Sequence, residues 1–166
     1  MDELIRELNS LSNEKLAGNA NRFFKTGIGE YGEGDKFLGI RVPDLHKLAR
    51  KYTKLKLQEI TLLLTSPFHE VRLISLFILV LRYEKSNEFK KREIVDIYLS
   101  NTRYINNWDL VDSSAYKILG DYLLDKNRSI LHELALSKEI WERRISIVAT
   151  FKFIKKGCFG ETIKIS

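Results

Sequence analysis

Cysteine is almost missing from this chain. The single one, Cys158, excludes a disulfide framework and a cysteine-rich zinc site. Proline is nearly as scarce, with 2 in 166 residues, and glycine contributes only 9, so collagen-like, mucin-like and linker-rich chains are excluded. No long apolar run exists. The longest, Leu76 to Leu81, falls far short of the ~20 residues that cross a bilayer. The start, Met1 to Glu7, is acidic and lacks the basic head and apolar stretch of a secretion signal. These omissions predict a cytoplasmic protein with no membrane partner. The three histidines, His46, His69 and His132, fall on separate segments, and no phosphate-binding glycine loop of the Walker type is present. Neither a metal site nor a cofactor is therefore expected.

What remains is an ordinary globular composition, with 44% apolar and 30% charged residues. A mass of 19.4 kDa fits one domain, residues 1–166, with a single core. Basic residues number 28 against 22 acidic ones, giving a net charge of +6, which leans toward an anionic partner.

The apolar residues recur at intervals of three and four, the helical period. Asn13 to Phe24 places Leu16, Ala20, Phe23 and Phe24 on one stripe. Pro43 suits the first turn of a helix carrying Leu45, Leu48, Ala49 and Tyr52. Ser66-Pro67 repeats that signal ahead of Val71, Ile74, Phe77, Ile78 and Leu81. Further helices are predicted over Asn87 to Leu99, Trp108 to Leu124, Ser129 to Leu136 and Glu139 to Lys155, the last stopped by Gly157. Setting Ser66 over Ser137 aligns Arg72 with Arg143, Ile74 with Ile145 and Ser75 with Ser146. Helix pairs recurring about every ~35 residues point to an all-α solenoid of the HEAT or armadillo kind, an α-α superhelix whose concave face would hold a long partner.

Charge is clustered. Lys36 to Lys56 carries seven basic residues, Arg41 and Lys47 among them, against the single acid Asp44. A second cluster, Arg143, Arg144, Lys152, Lys155 and Lys156, lies on the last long helix, where Arg144, Lys152 and Lys155 share roughly one face. Such clusters serve equally as solvated surface or as phosphate contacts.

Gly27-Ile28-Gly29-Glu30-Tyr31-Gly32 has the spacing of a dinucleotide fingerprint. No strand precedes it, and Glu30, Glu33 and Asp35 would repel a pyrophosphate, so it reads as a loop between helices. More informative is Asn106-Asn107-Trp108-Asp109-Leu110-Val111-Asp112-Ser113-Ser114. Asn107 can cap the helix, and Asp109 in the first turn suits its dipole. Trp108 and Asp112, four apart, share a side. Two helix-stabilising acids and a core tryptophan would explain most of this. Asp112, a turn deeper beside Val111 and Ala115, is explained less well, because a carboxylate there needs a partner or a purpose.

Phe37-Leu38-Gly39-Ile40-Arg41-Val42-Pro43, Asn107-Trp108-Asp109-Leu110-Val111-Asp112-Ser113 and Ile140-Trp141-Glu142-Arg143-Arg144 together resemble, in this order, the AlkD-type DNA alkylation repair glycosylases. The resemblance runs from about Tyr31 to the end of the chain. It implies a HEAT-like repeat protein that removes N3- and N7-alkylated purines from duplex DNA without a base-flipping pocket. Alkylated double-stranded DNA is then the partner, and a monomer without metal or cofactor the expected state. By the same resemblance, Asp112 is the catalytic carboxylate and Trp108 the aromatic that packs on the lesion's deoxyribose. Arg144 is the residue that grips the backbone there, and Lys152 a basic residue on the same face. The basic clusters, rather than the resemblance, add Arg41, Lys47 and Lys155 as expected DNA contacts. The family's additional helix pair, with a second active-site tryptophan, has no counterpart before Ser166, so a chain shortened at its C-terminus is expected, with impaired excision. The alternative is a non-catalytic DNA-binding or protein-interaction scaffold of the same fold.

Overall fold

A computed structural model describes residues 1–166. The protein is all-α, as the periodicity predicts; its only extended pairing is a single parallel bridge between Lys36 and Phe68. No helix is long and apolar enough to cross a membrane. The chain divides into two compact units, Met1–Arg82 and Tyr83–Ser166.

The first unit holds α1 (Asp2–Ser10), α2 (Glu14–Phe23), α3 (Val42–Lys51), α4 (Leu57–Leu64) and most of α5 (His69–Glu84). Asn13 caps α2 by accepting the Leu16 N–H at 3.0 Å, and Pro43 sits in the first turn of α3. Two of these helices, α1 and α4, lie outside the segments the periodicity picks out. Helix α1 buries Leu4 and Leu8, one turn apart, and its Glu7 accepts from the Tyr52 hydroxyl at 2.7 Å and pairs with Lys51. Helix α5 starts two residues after Pro67 rather than on it. The backbone there is diverted into the bridge, with the Lys36 N–H on the Pro67 carbonyl and the His69 N–H on the Lys36 carbonyl.

The glycine-bearing stretch 27–34 is turn, with no strand before it, as expected of a loop. The residues that follow are held by buried charge. The Glu70 carboxylate accepts the N–H groups of Leu38, Gly39 and Ile40 at 2.9, 2.8 and 3.2 Å. Gly39 has φ +76°, and a Cβ there would lie 2.1 Å from the Asn13 carbonyl oxygen, so only glycine fits. Asp35 accepts from the Arg72 guanidinium at 2.7 Å and bonds the His69 ring at 3.0 Å.

The second unit holds α6 (Glu88–Ser100), a 3-10 turn (Thr102–Tyr104), α7 (Trp108–Ala115) and a π-turn (Tyr116–Gly120). It continues with α8 (Ser129–Ala135), α9 (Ile140–Ala149), α10 (Phe151–Ile154) and α11 (Gly160–Ile165). Leu110, Val111, Ile118, Leu131, Ile145 and Phe153 lose all contact with water, each worth about 1.5–3 kcal/mol in transfer terms. Two helices predicted as continuous are interrupted. Trp108 to Leu124 widens into the π-turn, beyond a point where the Ser114 hydroxyl already occupies the Leu110 carbonyl at 2.6 Å. Glu139 to Lys155 breaks at Thr150, whose buried hydroxyl bonds the Ile147 carbonyl at 2.7 Å and competes with the helical ladder.

The internal repeat is visible in hydrogen bonds. Arg72 donates to the Ser66 carbonyl at 2.9 Å, and its counterpart Arg143 donates to the Ser137 carbonyl at 2.7 Å. The Ser66 and Ser137 hydroxyls each accept a backbone N–H two residues on, from Phe68 and Glu139. Both arginines thus tie the start of a long helix to the turn before it, a structural role for Arg143.

Burial tends to raise the Asp35 carboxyl, but the His69 hydrogen bond and the Arg72 charge outweigh it and hold it below the usual aspartate range. A depressed folded value contributes stability above the unfolded value of ~3.9, and that contribution is lost as pH falls through the folded one. Asp35→Asn should therefore be less stable than the parent at neutral pH, and the gap should narrow in urea titrations taken from pH 5 to 2. A gap independent of pH would show that Asp35 does not carry this acid sensitivity.

Candidate nucleic-acid and active site

Helix α7 presents the site. Asn107, fully buried, is its N-cap and accepts the Trp108 N–H at 2.8 Å, while Asp109 accepts the Leu110 N–H at 2.8 Å. The helix is fixed from behind by Tyr98, whose phenol donates to Ser114 at 3.0 Å; burial pushes that phenol far above its ordinary range, so it stays a donor. The outward side carries Trp108, Asp112 and, one further turn on, Tyr116, each half-buried.

Asp112 does have a partner, and it is Arg144. The guanidinium, reaching across from α9, donates Nε to Oδ1 at 2.9 Å and Nη2 to Oδ2 at 2.7 Å, a two-pronged pair. The carboxylate raises the already high Arg144 value further. The side chains remain 39% and 40% exposed, so the pair stabilises the fold by ~1 kcal/mol or less and can open without unfolding anything.

A second rung lies further along the same elements. Lys152, on α10, places Nζ 2.6 Å from Oδ1 of Asp121, just past the π-turn. Asp121 also accepts from Tyr83 at 3.1 Å and has Lys91 at 3.7 Å. Burial opposes its charge, but the Lys152 and Tyr83 hydrogen bonds prevail and keep the carboxyl low. Gly120 sets the spacing between the rungs' supports, since a Cβ there would stand 2.3 Å from the Ala149 carbonyl oxygen. Glu142 accepts from Thr102 at 2.6 Å and Ser137 at 2.5 Å, which fixes the first turn of α9.

The second unit thus gathers four of the expected site residues, Trp108, Asp112, Arg144 and Lys152, on α7, α9 and α10, with Lys155 at the end of α10 over the Tyr116 ring. Arg144 and Lys152, expected as DNA contacts, each face a carboxylate in the free protein. Arg41 and Lys47 belong to the first unit. Arg41 precedes α3 and pairs with Asp44 at 3.4 Å, and Lys47 is exposed on α3. Asp121, Tyr116, Lys117 and Gly120 escaped the sequence reading. The one available signal was spacing: Asp121 follows Asp112 by nine positions, much as Lys152 follows Arg144 by eight. No group of three or more His, Cys, Asp or Glu side chains converges in the manner of a metal site.

The family model for DNA alkylation repair enzymes matches residues 4–166. The chain belongs to the DNA alkylation repair enzyme family. No individual curated protein matches it.

Because Asp121 holds Lys152, Tyr83 and Lys91 together, Asp121→Asn should lower unfolding free energy by roughly 1.5–3 kcal/mol, the range for hydrogen bonds to a charged group. Chemical denaturation followed by circular dichroism measures it. An unchanged midpoint would mean that the second rung is only surface decoration.

Proposed function

We propose that the protein is a DNA N-glycosylase that removes cationic N3- or N7-alkylpurines from duplex DNA on a HEAT-like repeat scaffold. The observation that carries this reading is the α7 face, where an indole and a carboxylate stand one turn apart beside a guanidinium that can serve either the carboxylate or a phosphate.

Alkylation gives the purine a positive charge and makes it a ready leaving group. As the C1′–N bond breaks, its electron pair goes to the purine and neutralises the ring, while positive charge grows on the deoxyribose. Water then forms the new C1′–O bond and loses a proton to solvent. The chain's task is to stabilise the sugar's transient charge, which a fixed carboxylate does directly. The Trp108 face adds attraction to the same cation. The neutral parent base gains much less, so the lesion's own charge provides selectivity without extrusion into a pocket.

Arg144 governs when Asp112 can act. With both oxygens engaged by a guanidinium, the carboxylate is electrically answered and turned toward α9. A DNA phosphate is a competing anion for the same fork. Transfer of Arg144 to that phosphate anchors the strand and leaves the Asp112 charge for the sugar. Since the half-exposed pair is worth ~1 kcal/mol or less, the exchange costs little.

The engagement of both Asp112 oxygens also suits the second reading, a non-catalytic DNA-binding or interaction scaffold in which Asp112 merely holds Arg144. Asp112→Asn separates the two. Single-turnover release of 7-methylguanine from duplex DNA, at saturating protein, should fall ~10²–10³-fold on the glycosylase reading. Release at the parental rate, or no release by the parent, favours the scaffold.

A further inference from the structure

The unit containing the site has four tyrosines with a cation over the ring: Tyr104 carries the single Arg103, which also donates to the Tyr104 hydroxyl, and the other three carry lysines. Lys126 lies 4.2 Å from the Tyr122 centroid and is neutralised by Glu88 at 2.9 Å. Lys91 lies 4.9 Å from Tyr83 and is answered by Asp121 and Glu88. Tyr116 carries two lysines, Lys155 at 4.9 Å and Lys117 at 5.4 Å, and neither has a carboxylate within salt-bridge distance. The acid one turn before it, Asp112, is already engaged by Arg144. Two ammonium groups close to one ring, with no acid to answer them, leave positive charge that a bound anion would balance. Lys155 reaches this position from the far end of α10, so the pairing is a product of the fold rather than of neighbouring sequence.

The placement is equally telling. Tyr116 opens the π-turn, a feature that is frequent at functional sites, and follows Asp112 by one helical turn on the same face. One turn rises ~5.4 Å, between one and two nucleotide steps of ~3.4 Å along a strand. We propose that Tyr116, Lys117 and Lys155 form a phosphate-binding subsite for the DNA strand, next to the phosphate taken by Arg144, with the tyrosine ring holding the two ammonium groups apart and its hydroxyl available as a donor. The proposal rests on duplex DNA being the substrate, as in the preceding reading, but it requires no catalysis.

The test is equilibrium binding of an undamaged duplex over a range of salt. Each phosphate contact contributes about 0.9 to the slope of log affinity against log salt. Lys117→Ala and Lys155→Ala should each lower the slope by about one, and the double variant by about two. Tyr116→Leu should weaken binding and Tyr116→Phe weaken it less, because the ring survives. Lys126→Ala is the matched control, a lysine over tyrosine already neutralised by Glu88, and its slope should equal the parent's. Circular dichroism confirms that each variant is folded before its slope is read. Parental slopes in folded Lys117→Ala and Lys155→Ala would overturn the subsite while leaving the glycosylase reading intact, since base release is scored separately. A parent with no salt-dependent duplex affinity would overturn both.

Discussion

The face of α7 is organised around one half-exposed ion pair, Asp112 with Arg144. A carboxylate placed deep on α7 needs compensation, and a fork of two parallel hydrogen bonds supplies it in a geometry that a single lysine could not reproduce. The surroundings serve that geometry. Asn107 starts α7 at Trp108, Tyr98 and Ser114 hold it from behind, and Glu142 fixes the start of α9. The close approach at Gly120 and the Asp121–Lys152 rung then maintain the register of the two elements.

Exposure decides what such a pair can do. The Asp35–Arg72 pair in the first unit is buried, at 3% and 4% side-chain exposure, and opening it would strand a charge at a cost of ~3–5 kcal/mol. The Asp112–Arg144 pair, near 40% exposed, loses only its modest Coulombic gain on opening. The first pair suits permanent structure and the second suits exchange with an incoming phosphate.

Much of this was legible in the sequence. The period of three and four, the cap at Asn107, and the Ser66/Ser137 alignment give the all-α class and most helix positions. Helix α1 has the same apolar spacing at Leu4 and Leu8, but at nine residues it is too short for the helical period to stand out. The interruptions at Ser114 and Thr150 were hidden because a hydroxyl's choice between solvent and its own helix carbonyl is set by tertiary burial. Motif resemblance points to Trp108, Asp112 and Arg144, whereas the pairing of Asp112 with Arg144 across 32 positions is a property of the folded chain. The same holds for Lys155 over Tyr116, which no local pattern announces.

The proposed transfer of Arg144 from Asp112 to a DNA phosphate is tested most directly by a double-mutant cycle on undamaged-duplex affinity. Removing the competing carboxylate frees the guanidinium in advance, so Asp112→Asn should bind up to about fivefold more tightly than the parent, matching the ~1 kcal/mol of the lost pair. In an Arg144→Ala background the same substitution should have no such effect. Equal tightening in both backgrounds, or none in either, would contradict the exchange.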